Sequence, residues 1–146
     1  MSNLIKEASF ELREIILNSL GSLVRTGQLP AEPIPSFNIE IPNDKAHGDF
    51  ATNAAMVCAK TFKLPPRKIA ELICENAVLD GSFFEKTEVA GPGFINFFLG
   101  KRWFSMAVEN VLTEKENYGK VYIGENKKLM VEFVSANPTG PMHIGN

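Results

Sequence analysis

Cysteine and histidine are scarce, with two of each in 146 residues. Cys58 and Cys74 are too few for a disulfide framework and suit a reducing compartment. With His47 and His143 they lack the spacing of a zinc site, so no metal centre is expected. No apolar run approaches the ~18–20 residues that span a bilayer. Met1-Ser2-Asn3-Leu4-Ile5-Lys6-Glu7 mixes charge with apolar residues too early for a secretory signal. A basic surplus is missing as well: fifteen Lys and Arg against seventeen Asp and Glu leave a net charge of −2. A non-specific nucleic-acid binder carries a large positive excess, so any such contact here must be local and shaped. What remains is a soluble, cytoplasmic, globular chain, 45% hydrophobic and 22% charged. Its length suits one domain, or one domain and the start of a second.

Leu4, Ile5, Ala8, Leu12, Ile15, Ile16, Leu20, Leu23 and Val24 recur at spacings of three and four, which predicts an amphipathic helix over 3–26 ended by Gly27. Prolines 30, 33 and 35 impose an extended connection. Phe37, Ile39 and Ile41 then alternate with polar residues as a short strand closed by Pro42. Asn43 to Asp49 is turn chemistry, with Asp49 expected to cap an alanine-rich helix over about 50–62. Pro66 opens another helix, about 66–78, burying Ile69, Leu72, Ile73 and Ala77. Segments 83–90 and 94–99 form a hairpin around Gly91-Pro92-Gly93. A helix over about 101–115 is expected to bury Trp103 or Phe104, Ala107, Val108, Val111 and Leu112. This mixture, without regular βαβ alternation, points to an α+β fold, a two-layer domain of helices on a small antiparallel sheet.

Beyond a polar, glycine-punctuated linker over 118–128 the texture changes. Leu129-Met130-Val131-Glu132-Phe133-Val134 is nearly continuously apolar, as in a strand buried on both faces of a parallel sheet. Glu132 is expected to be paired or to face a site. A strand of this kind needs neighbours that the remaining residues do not supply, so 129–146 reads as the truncated start of a second, Rossmann-like domain. The loop after it, Ser135-Ala136-Asn137-Pro138-Thr139-Gly140-Pro141-Met142-His143-Ile144-Gly145-Asn146, lies where α/β sheets bind nucleotides. His143 can donate to a phosphate oxygen, Gly145 lets an adenine ring approach the backbone, and the Asn146 amide can also donate.

This stretch resembles the HIGH signature of class I aminoacyl-tRNA synthetases and, through Val131 to Pro141, arginyl-tRNA synthetase in particular. His47-Gly48-Asp49-Phe50-Ala51-Thr52-Asn53 and Gly91-Pro92-Gly93-Phe94-Ile95-Asn96-Phe97 look like recurring segments of that family's N-terminal additional domain. The resemblance covers nearly the whole chain. It implies that Ser135 and Asn137, with Gly145, line the arginine and ATP site and that His143 and Asn146 face the ATP phosphates, Asn146 replacing the family's second histidine. It further implies that Phe94 and Asn96 touch the D-loop at the outer corner of tRNA.

The hairpin supports a nucleic-acid reading independently. Ile95, Phe97 and Leu99 point to one face of a strand, and Phe94, Asn96 and Phe98 to the other. One aromatic beside one amide can stack an unpaired base and read its edge. In the other reading both phenylalanines pack under a helix and Asn96 is satisfied internally. Lys60, Lys63, Arg67 and Lys68, and Lys101 with Arg102, are candidate phosphate contacts or simply solvated surface. His47 reads as a turn residue.

The resemblance thus implies an N-terminal fragment of arginine–tRNA ligase. Residues 1–117 are the expected tRNA-corner-binding domain, 118–128 a linker, and 129–146 the start of the catalytic domain. Partners are tRNA(Arg), arginine, and ATP with Mg²⁺; the fragment alone is expected to be inactive, to hold no tight cofactor and to avoid membranes. Nothing in the sequence sets the oligomeric state, and a monomer is the default expectation. A stand-alone RNA-binding module and a fragment of a small-molecule nucleotidyltransferase are the alternatives.

Overall fold

The computed structural model describes residues 3–121, 124–133 and 140. Helix α1, Asn3–Arg25, buries Leu4, Ala8, Leu12, Ile16, Leu20 and Leu23 along one stripe. It ends as its pattern predicts: Gly27 takes φ +74°, and the Gln28 N–H returns to the Leu23 carbonyl at 2.9 Å, a left-handed cap that closes the last turn. Four strands follow as one antiparallel sheet in the order β1-β2-β4-β3: β1 (Ile39–Glu40), β2 (Phe50–Thr52), β3 (Phe84–Ala90) and β4 (Phe94–Leu99). Helices α2 (Ala54–Phe62) and α3 (Pro66–Asn76) connect β2 to the β3–β4 hairpin. Pro66 opens α3, which buries Ile69, Ala70, Leu72 and Ile73.

Helices and sheet share one core. Ile95 and Phe97 of β4 are fully buried in it. Phe84 meets both Phe50 and Phe97 edge-to-face, each at 5.7 Å between ring centroids, the favoured aromatic geometry. The expected α+β, two-layer architecture is therefore present.

Three local expectations are corrected. Residues 50–52 are strand, not helix, and Asp49 does not cap α2. Its carboxylate accepts the Leu99 N–H at 2.9 Å instead. Phe50-Ala51-Thr52 is drawn into the sheet because β1 and β4 both pair with it, and such pairing outweighs the helical preference of the alanines behind it. In the 37–41 segment only Ile39 and Glu40 join the ladder. Helix α4, Lys101–Glu114, forms where expected but buries no residue fully. Trp103, Met106 and Ala107 lean on the core, whereas Phe104, Val108, Val111 and Leu112 are exposed.

Leu129 to Phe133 form no strand among the described residues, and their apolar side chains are exposed, as is Glu132. Ser135, Asn137, His143, Gly145 and Asn146 lie outside the described residues.

Candidate nucleic-acid interface

Strand alternation splits β4 as its sequence predicts. Ile95 and Phe97 enter the core, Leu99 packs against its margin, and Phe94 and Phe98 belong to no part of it. The sheet's outer face therefore carries Phe94, Asn96 and Phe98, flanked by Ala90, Glu88 and Lys86 on β3 and by Ala51 on β2. Lys86 lies over the Phe98 ring, 4.9 Å from its centroid, and pairs with Glu88. Phe98 is thereby covered by a cation, while Phe94 is not.

Asn96 is only 5% exposed, yet its side-chain amide has no hydrogen-bond partner among the described residues. Burial of an amide without a partner is costly, which leaves this one a hydrogen-bonding group open to a ligand. Neither side-chain atom is wholly shut off from solvent. Asn96 lines a cavity of about 290 Å³ together with Glu40, Pro42, His47, Ala51, Ala90, Gly91 and Phe94. A half-buried aromatic, an unpartnered amide and small walls make a site suited to a flat, polar-edged ring.

Two glycine-centred contacts hold this cavity. Gly48 has φ +81° and ψ −169°, a conformation open essentially to glycine alone. The next residue's N–H donates to the Phe97 carbonyl at 2.9 Å, and the Asp49 carboxylate receives Leu99 two residues on. The 3₁₀ turn Lys45–His47, capped by Asp44 accepting from the Ala46 N–H at 2.9 Å, is thus fastened to β4, and His47 is set at the rim. On the other side Thr52 donates to the Asn38 carbonyl at 2.7 Å and Asn53 accepts from the Asn38 N–H at 2.9 Å, fixing the approach to β1. At the hairpin, Gly93 is pressed on Pro66: a Cβ there would stand 2.7 Å from the proline Cβ and 2.9 Å from its carbonyl carbon. Arg67 also donates to the Gly91 carbonyl at 3.2 Å. Phe94 consequently leaves a turn braced on α3.

The basic candidates separate. Arg67 is engaged by Glu71 and Gly91, and Arg102 lies over the Phe83 ring within 4.0 Å of Glu11. Lys60, Lys63, Lys68 and Lys101 are exposed without ion pairs among the described residues. Sequence reasoning found Phe94 and Asn96 but missed Glu40, His47, Pro42 and Ala51 as lining. Outward alternation at Glu40 and the family-like segment His47 to Asn53 were the signals available. Among the described residues no group of His, Cys, Asp and Glu is arranged to hold a metal ion.

Comparison with known proteins gives a consistent result. The family model described as arginyl tRNA synthetase N terminal domain matches residues 11–99. An arginine–tRNA ligase of Ruminiclostridium cellulolyticum is 49% identical over 146 residues, all of this chain and 26% of that protein. One from Acetivibrio thermocellus is 47% identical over the same span. The solved arginyl-tRNA synthetase from Plasmodium falciparum shares the fold, with a TM-score of 0.54 at 19% identity over 69% of this chain and 17% of that one. The chain spans about a quarter of the length of the curated relatives it matches.

Proposed function

The chain belongs to the family of arginyl-tRNA synthetase N-terminal domains, and from that membership we propose that it is the tRNA-corner-binding end of an arginine–tRNA ligase. In such an enzyme the arginine carboxylate attacks the α-phosphate of ATP, giving arginyl-adenylate and releasing pyrophosphate. A ribose hydroxyl of the terminal adenosine of tRNA then attacks the activated carbonyl, and AMP leaves. Positioning and electrostatic stabilisation supply the rate enhancement. Magnesium accompanies the ATP, and no magnesium ligand is assigned to this chain.

The proposed division keeps residues 1–117 as the tRNA-binding domain, 118–128 as linker and 129–146 as the beginning of the catalytic fold. Within that last part His143 and Asn146 are assigned to the ATP phosphates, and Ser135, Asn137 and Gly145 to arginine and ATP, on the strength of the motif they stand in. The cytoplasm is the proposed compartment. No described helix is long and apolar enough to cross a membrane.

The observation that carries the proposal for this chain is the unpartnered amide of Asn96 beside Phe94 in an open cavity of the sheet's outer face. Phe94 stacks an unpaired base of the D-loop and Asn96 reads its edge, contacts worth about 1–3 kcal/mol for the stack alone. The test is a titration of the isotope-labelled chain with tRNA(Arg) and with an unrelated tRNA at two salt concentrations, following amide shifts. Salt-resistant, tRNA-dependent shifts at Phe94 and Asn96 are expected. A response confined to Lys60, Lys63 and Lys68 would reduce the interaction to generic phosphate attraction and refute the pocket.

A further inference from the structure

Sheet register sets a second functional group opposite Asn96. Glu40 pairs with Ala51, Ala51 with Asn96 and Asn96 with Glu88, so the four form one row across the outer face. Adjacent strands are about 4.8 Å apart, which separates the Glu40 and Asn96 backbones by roughly 10 Å. Within the row, the small Ala51 is the residue between them. Glu88, at the far end of the row, is paired with Lys86. Glu40 is exposed and borders both this cavity and the neighbouring one lined by Lys6 and Arg13, and its carboxylate has neither a hydrogen bond nor an ion pair among the described residues.

We propose that Glu40 is the residue by which this pocket selects a nucleobase bearing an exocyclic amino group, an inference that rests on the base-binding reading above. The Asn96 amide offers one donating and one accepting end, and by itself serves almost any base edge. A carboxylate only accepts. It favours an N–H group on the facing edge and disfavours a carbonyl, whose lone pairs it repels. Adenine, cytosine and guanine each present an amino group. Uracil presents two carbonyl oxygens around a single N–H, and one of them would fall against the carboxylate. The same charge repels phosphate, so a nucleotide enters this cavity base first. That explains a free carboxylate in a site for a polyanion, where charge attraction alone would have placed a lysine.

The test uses the 146-residue chain and four trinucleotides, 5′-UAU, UCU, UGU and UUU, with the Asn96 side-chain amide and the Phe94 backbone amide as reporters. The three amino-bearing centres are expected to bind roughly tenfold tighter than UUU. In Glu40→Gln the side chain keeps its shape but can also donate to a carbonyl, and the preference should shrink to within about twofold while the rest of the amide spectrum stays unchanged. Retention of the wild-type preference in Glu40→Gln, or equal binding of all four by the unaltered chain, overturns the role of Glu40 and leaves the base pocket standing. Absence of shifts at Phe94 and Asn96 with every trinucleotide and with tRNA overturns the pocket and this proposal together.

Discussion

Gly48 lies against the backbone of Phe97, where a Cβ on the glycine would stand 2.7 Å from the Phe97 carbonyl oxygen. Phe97 is one residue from Asn96, so this contact sets the distance between the His47 turn and the cavity that Asn96 lines. Gly48→Ala must strain the backbone, at about 1–3 kcal/mol, and push the turn away from β4. Denaturant unfolding should register that loss, and tRNA-dependent shifts at Asn96 should weaken with it. Unfolding at the wild-type midpoint with unaltered shifts would show that the contact is incidental.

Asn96 separates function from stability. Its amide has no partner to lose among the described residues, and replacing an unpartnered buried polar group by an apolar one of similar size is neutral or stabilising. Asn96→Leu is expected to keep or raise the thermal midpoint while abolishing salt-resistant tRNA shifts. Marked destabilisation would instead show that the amide is held internally.

Much of this was legible in local pattern. Three-four spacing located α1, Pro66 opened α3, and period-two alternation in 94–99 divided core residues from Phe94 and Asn96. What was illegible depends on contacts distant in sequence. Asp49 looks like a helix cap because Asp before an alanine run usually is one, and only the arrival of β4 fifty residues later gives its carboxylate Leu99 instead. Glu40 and Ala51 belong to the pocket through sheet register, which no stretch of two or three residues encodes.

Cys58 makes stability sensitive to alkali. It is fully buried, and desolvation raises its thiol from 9.0 to about 11. Below pH 9 the thiol is neutral in folded and unfolded chains alike, so it contributes no pH dependence there. As the pH rises from 9 towards 11 the unfolded chain ionises first, and stability falls by up to about 1.4 kcal/mol per unit. Comparing wild type with Cys58→Ala cancels the other titrating groups. The packing advantage of the cysteine at neutral pH should shrink by about 1–2 kcal/mol near pH 10.5, and a gap independent of pH would contradict the assignment.

The exposed side of α4 offers the sharpest test of the corrected packing. Periodicity assigned Val108 and Leu112 to the core, yet they are 58% and 67% exposed, while Ile16 of α1 is 0% exposed. Val108→Glu should therefore change unfolding stability by no more than about 0.5 kcal/mol, as for other surface positions. Ile16→Ala removes buried methyl groups and leaves a cavity, at about 2–5 kcal/mol. A helix this apolar on its open side gains nothing from that side in the described residues, because burial, not hydrophobic pattern, is what stabilises. Equal and large losses from both substitutions would return the face of Val108 to the core and withdraw the exposure assigned to it.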